Sequence, residues 1–237
     1  MNDLSTSFGE ALSLVMHFDP DLYEIIGLSL QVSLSSVVIA ALFALPFAAL
    51  ISITQFKGRQ LVIGMINGLM GFPPVVMGLV IYLLLSRSGP LGVLGLLYTP
   101  TAMIIAQSLL VFPLIAAIAL RNLSDLYQSV RLQFDLFGLN LWQRSCLMLY
   151  EGRSLLLTAI LAGFGRAIAE VGAVMIVGGN IQHHTRVMTT AIALETSKGA
   201  LSLALALGMI LLLLAIMVNM LLGVIEQRLT MEKSKIR

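Results

Sequence analysis

SLLLTAILAGFGRAIAEVGAVMIVGGN, residues 154–180, decides the fold. A helix needs about 20 mainly apolar residues to cross a bilayer, and this run supplies them. Inside it stand Arg166 and Glu170. A charge at mid-bilayer costs about 2.5–3.5 kcal/mol on insertion scales, so a lipid-facing segment does not keep two. The run therefore reads as a membrane helix enclosed by protein or facing water. The two residues are four apart, the spacing that places side chains on one helix face. As structure they make a salt bridge that locks the bundle or reaches a second subunit. As function they make a gate, an arginine seen by a passing anion, or a proton relay, for which no second intramembrane acid is visible. Ala159, Gly163 and Ala167, with Gly165, Ala169 and Ala173, repeat every four residues and let helices approach closely. Such packing is expected to bury the charged pair.

The rest of the chain agrees with a membrane setting. Of 237 residues, 58% are hydrophobic and only 11% charged, against about 25% charged in soluble domains. Mean hydropathy is +0.97. Five stretches are long and apolar enough to span: 27–53, 61–86, 101–120, 155–178 and 201–225. No run alternates like the ten-residue strands of a membrane barrel, so the expected class is an all-α integral membrane protein with five helices. The opening MNDLSTSFGE lacks the basic region of a signal peptide. Residues 8–18 are apolar but too short to cross, and read as a helix at the membrane surface or packed on the bundle or, second, as a broken sixth span. The expected organisation is an extracytoplasmic segment 1–26, one membrane domain 27–226, and a tail 227–237.

Lys and Arg between spans set orientation. Ten fall after span 1, between spans 3 and 4 and in the tail, against three in the alternate segments. The N-terminus is therefore expected outside and the C-terminus inside. The net charge of +2 is a topology signal and gives no case for nucleic acid. Cys146 is alone, which excludes an intramolecular disulfide and a cysteine metal cluster, and reads as an inert thiol.

Prolines interrupt the spans at Pro46, at Pro73 and Pro74, and at Pro113. Each removes a backbone hydrogen bond and favours a kink. The Pro73-Pro74 pair is the strongest, either as a static bend or as a break lining a pathway. The stretch 121–154 is too long for a simple connection. Leu132, Leu136, Leu139, Trp142, Cys146 and Leu149 step by three or four, and Gly138 marks a turn between two short helices. It reads as a cover for the bundle or as a docking surface for a soluble partner. At the other end, Gly178-Gly179-Asn180 looks like a helix cap, followed by His183, His184 and Arg186. The vicinal histidines suggest metal, but no further ligand lies near them in sequence, so a solvated loop that touches a partner is preferred and no metal site is expected. No P-loop, GxSxG or HExxH occurs, so the chemistry points to passage or scaffolding rather than catalysis.

GRAIAEVGAVMIVGGNIQHHTRVMTTAIALETSKG, residues 165–199, resembles the outer end of the permease subunit of oxyanion ABC importers. The likeness is greatest to tungstate permeases, with molybdate and sulfate permeases next, and extends over residues 25–226. It implies a type I importer core used as a homodimer. It implies two cytoplasmic ATPase subunits, which bind the ATP and Mg, so that this chain itself binds no cofactor. It also implies an extracytoplasmic oxyanion-binding protein and a place in the cytoplasmic membrane. The family's coupling loop, EAAxxxG, maps onto Leu132, Gln133, Phe134 and Gly138, with Asp135 inside it and Trp142 as the following aromatic. The glycine is kept and the EAA residues are not. Docking is thus expected at Leu132, Phe134, Asp135, Gly138 and Trp142, and contact with the binding protein at Asn180, His183, His184 and Arg186. The competing readings are an amino-acid permease of the same class, a self-sufficient channel or secondary transporter, and a scaffold without transport.

Overall fold

Apolar runs without a paired break become single long helices. The computed structural model describes residues 2–17 and 19–235, with side chains placed for 8–17 and 19–225. The helices are α1 (Asn2–Met16), α2 (Pro20–Ile53), α3 (Arg59–Met70), α4 (Pro74–Leu85), α5 (Pro100–Leu136), α6 (Leu141–Glu151), α7 (Arg153–Ile168), α8 (Gly172–Gly178), α9 (Met188–Lys198) and α10 (Leu201–Lys235), with a 3₁₀ turn at Gly92–Leu94. No strand occurs among the described residues.

Helices α2, α5 and α10 are each long and apolar enough to cross a membrane, and the count reaches five only if each of two bent pairs is one span. Asp19 starts α2 by accepting the Leu22 N–H at 3.0 Å, with Pro20 at the first helical position. Pro46 and Pro113 sit inside unbroken helices. The pair Pro73-Pro74 does more than kink: α3 stops at Met70, and α4 starts afresh at Pro74. Two successive prolines remove two N–H groups, more than one turn of helix tolerates.

The chain divides into two compact units. The first comprises Met1–Ser36, Pro73–Gln107 and Arg166–Met217. Here α4 packs on α8 at backbone distance, and a Cβ on Gly78 would lie 2.8 Å from the Ala173 Cα. Leu22, Met103, Val177 and Met188 are fully buried within it. The second comprises Val37–Phe72, Ser108–Gly165 and Val218–Arg237. In this unit Gly163 lets α7 approach α5, where a Cβ would meet the Ile115 side chain at 2.7 Å, and Ile115, Leu123 and Met148 form its core.

Several expectations need correction. The run 155–178 is not one helix: α7 ends at Ile168 and α8 begins at Gly172. The first arm of the 121–154 segment is no separate short helix, because α5 continues through it to Leu136. Helix α10 runs beyond the span expected at 201–225, to Lys235. Part of the loop 178–199 is also helical, as α9. The short N-terminal helix is present as α1, separate from α2, with Ala11 buried and Phe8, Leu12 and Met16 exposed.

Candidate functional site

The break between α7 and α8 falls on the charged pair. A broken helix frees carbonyls that, in hydrocarbon, cost several kcal/mol if left unpaired. Each is met here. Gln107 Nε2 donates to the Ala167 carbonyl, and Thr189 Oγ1 donates to the Glu170 carbonyl at 2.7 Å. The Glu170 carboxylate turns back, and its Oε1 accepts the Ala173 N–H at 3.2 Å. Gln107 is held in turn, its Oε1 lying 3.1 Å from Ser36 Oγ. On the same helix as Ser36, Ser29 Oγ accepts the Met188 N–H at 2.7 Å. The break is thus a built feature, stitched to α2, α5 and α9.

Glu170 is buried, as expected, but Arg166 is not, with side chains 5% and 45% exposed. Their closest approach is 3.9 Å, the outer limit of an ion pair. The expected pair is present at this long distance but not on one continuous helix face, because the helix ends between the two residues and the other carboxylate oxygen serves the backbone.

The proline break comes to the same place. Val75, next to Pro74, touches Gly172, next to the Glu170 break, where a Cβ would meet the Val75 side chain at 2.7 Å. The Pro73 carbonyl caps α4 by accepting from Val76 N and Met77 N. The break at Pro73-Pro74 and the break after Ile168 therefore meet at one junction, through Val75 and Gly172. The sequence reading missed Gln107, Thr189, Ser29 and Ser36. The one available signal was the three- and four-residue spacing of Ser29, Ser33 and Ser36 along an apolar helix.

The 132–142 hairpin belongs to the second unit. Gly138 makes its turn at φ +61°, in the left-handed region. Asn140 then caps α6, accepting the Gln143 N–H at 2.9 Å while Gln143 returns the bond. Arg144 fastens the two arms: Nε donates to the Leu139 carbonyl at 2.8 Å, and Nη1 meets Asp135 Oδ1 at 2.8 Å. Of the expected docking residues, Leu132 and Trp142 are exposed, while Phe134 is buried against Tyr127 and Asp135 is spent on Arg144. Leu136, Phe137 and Leu141 add to the exposed apolar surface. Cys146 is exposed on α6.

The loop after α8 starts with the expected cap, Gly179 at φ +71° donating to the Met175 carbonyl. Thr185, fully buried, folds it by donating to the Gly178 carbonyl and accepting from Ile181 N. Asn180 and His183 both take positive φ, at 51° and 57°. His183 and His184 are exposed, whereas the Arg186 side chain is largely enclosed. The expectation that no further ligand lies near the histidines is overturned in space. Glu24 Oε2 sits 2.8 Å from His183 Nδ1, and with Asp21 the three ligand atoms lie within 4.8 Å of one another. These acids come from α2, some 160 residues earlier, and were invisible to local spacing. The Glu24 hydrogen bond and charge raise the His183 pKa above its usual 6.5. A cleft of about 240 Å³ opens here, walled by α2, this loop and α9.

No protein-family model matches the chain. It is 42% identical over 219 residues to the tungstate uptake system permease protein TupB of Peptoclostridium acidaminophilum, covering 92% of this chain and 96% of that one. It is 42% identical over 203 residues to a probable anion ABC transporter permease protein of Haloferax volcanii, covering 84% and 88%. It is 35% identical over 212 residues to the tungstate uptake system permease protein TupB of Campylobacter jejuni, covering 90% and 89%.

Proposed function

We propose, from the premise that this chain belongs to the permease family of oxyanion ABC importers, that it carries tungstate across the cytoplasmic membrane as the transmembrane subunit of an ATP-driven importer. The single observation behind the choice of anion is 42% identity to a tungstate permease over 96% of that protein's length. Molybdate or sulfate remains the second reading, since an equally similar relative is named only as an anion permease.

The working assembly is two copies of this chain, two cytoplasmic ATPase subunits and an extracytoplasmic binding protein, with the N-terminus outside. ATP and Mg belong to the ATPases. Their docking surface is the hairpin from Leu132 to Trp142: exposed Leu132, Leu136, Phe137, Leu141 and Trp142 make an apolar tip that water leaves unsatisfied. Phe134, Asp135 and Gly138 act there by shaping the turn. His183 and His184 are the exposed residues of the binding-protein contact, and Asn180 positions them by donating to the Thr190 carbonyl at 3.3 Å. The junction of Pro73, Pro74, Arg166 and Glu170 is the movable element. Its helices already end there, so a change of pathway needs no intact helix to be broken. ATP binding on the partner biases that two-state element from a distance.

The test is ATP hydrolysis in liposomes holding this chain with its co-purifying ATPase. Binding protein loaded with tungstate should stimulate hydrolysis more than protein loaded with molybdate or sulfate. Equal stimulation by all three removes the tungstate assignment, and no stimulation by any removes the importer reading.

A further inference from the structure

Arg186 is an enclosed cation whose hydrogen-bonding capacity is unspent. Its side chain is 13% exposed, and its Nε is shielded without a partner. A guanidinium offers five N–H donors, yet among the described residues the contact made by this one is with Glu195 Oε1 at 3.8 Å, beyond hydrogen-bond reach. That oxygen is already taken by Lys198 Nζ at 3.0 Å. Shielded donors without acceptors are rare and costly, and more so when charged. The arginine therefore sits in the cleft as though an acceptor were due there.

The charges around it sort into two walls. On the α2 side, a protonated His183 offsets one of the two charges of Glu24 and Asp21, so that wall keeps one negative charge. On the α9 side, Arg186 and Lys198 share one carboxylate, Glu195, which is itself buried. That wall carries one positive charge beyond its internal partner. A tetrahedral oxyanion matches it, because a guanidinium fork meets two oxygens of one anion while a lysine adds a point charge. The cleft, about 240 Å³, has room for such an anion with part of its water.

We propose that Arg186 and Lys198 form an oxyanion-binding site in this cleft, where the anion rests after leaving the binding protein. The proposal rests on the importer reading and adds a substrate contact to it. It also moves Arg186 from the surface touching the binding protein to the wall touching the anion. Glu195 sets the affinity: by competing for both cations it keeps binding weak, as conduction requires.

The test uses the permease with its ATPase in lipid nanodiscs, without binding protein. Sodium tungstate is the probe, and retained tungsten is counted after equilibrium dialysis. Arg186→Gln should weaken retention at least tenfold and Arg186→Lys less. Glu195→Gln should tighten it several-fold, a direction that unfolding cannot produce. Retention by Arg186→Gln equal to wild type overturns the site, as does a wild type that retains no tungstate, molybdate or sulfate. Stimulation of ATP hydrolysis by loaded binding protein is measured on the same particles. Stimulation without retention removes this site and leaves the importer reading standing. Retention without stimulation removes the importer reading and leaves an anion site.

Discussion

At Glu170 one carboxylate does two jobs, and the second is the stronger. Its Oε2 is 3.9 Å from a half-exposed guanidinium, while its Oε1 takes a backbone N–H that the helix break has freed. An exposed ion pair contributes about 0–1 kcal/mol, whereas a buried donor left without its acceptor costs about 1–3 kcal/mol. Glu170→Ala should therefore destabilise by about 2 kcal/mol, Arg166→Ala by less than half of that, and the double variant no more than Glu170→Ala alone. Thermal unfolding of the three variants in detergent decides it; equal losses in the two single variants would restore the mutual pair as the main interaction. The charges themselves were legible, because a carboxylate in an apolar run stands out. Their partners were not. Gln107 and Thr189 are single polar residues with no periodic signature, brought to Ala167 and Glu170 from 60 and 19 residues away.

At the level of elements, the hairpin was read well because its cues are local. Gly138 punctuates an apolar period of three and four, and the turn occurs at that glycine with φ +61°. A left-handed backbone costs a residue with a Cβ about 1–2 kcal/mol, with asparagine among the tolerated exceptions. Open space surrounds the glycine, so strain rather than collision decides the outcome. Gly138→Val should loosen the hairpin and lower ATPase co-purification several-fold, Gly138→Asn much less, and Arg144→Ala should resemble Gly138→Val by unfastening the arms. ATPase recovery unchanged in Gly138→Val and Arg144→Ala would separate this hairpin from docking.

The loop after α8 was read less well, because its partners belong to α2. His183 is held to Glu24, and its pKa is raised first by that hydrogen bond and then by the Glu24 charge. Desolvation and Arg186 oppose the shift, while Asp21 adds to it. A raised folded-state pKa gives a contribution complete below about pH 6.5 and lost as pH climbs through the raised value. Hydrogen exchange over residues 181–186, corrected for intrinsic rates, should therefore quicken as the pH rises above about 6.5 and through the raised value. Glu24→Gln should abolish that pH dependence, and a dependence that survives the substitution would refute the latch.

For the whole molecule, membrane thickness limits which helices can cross. A hydrocarbon core is about 30 Å thick, and α7 at 1.5 Å per residue reaches about 24 Å, too short to cross by itself. Total apolar length was legible in the sequence, which is why five stretches could be marked. The interruption at Pro73-Pro74 was legible too, but the one after Ile168 was not, because that break is set by acceptors and donors elsewhere in the fold. Arg166 is half-exposed on a single chain, and a charge facing lipid is penalised. On the proposed reading an anion pathway covers it, since water and passing oxyanions both accept from a guanidinium. A cysteine reports this directly, because a thiol in lipid stays protonated and unreactive. With Cys146→Ser removing the exposed native thiol, Arg166→Cys in the assembled importer should react with a membrane-impermeant thiol reagent at least tenfold faster than Leu212→Cys, an exposed position on the apolar α10. ATP should change that rate as the junction moves, while Leu212→Cys stays slow throughout. Equal, slow labelling at both positions would place Arg166 against protein or lipid rather than water, and would move the pathway away from the helix break.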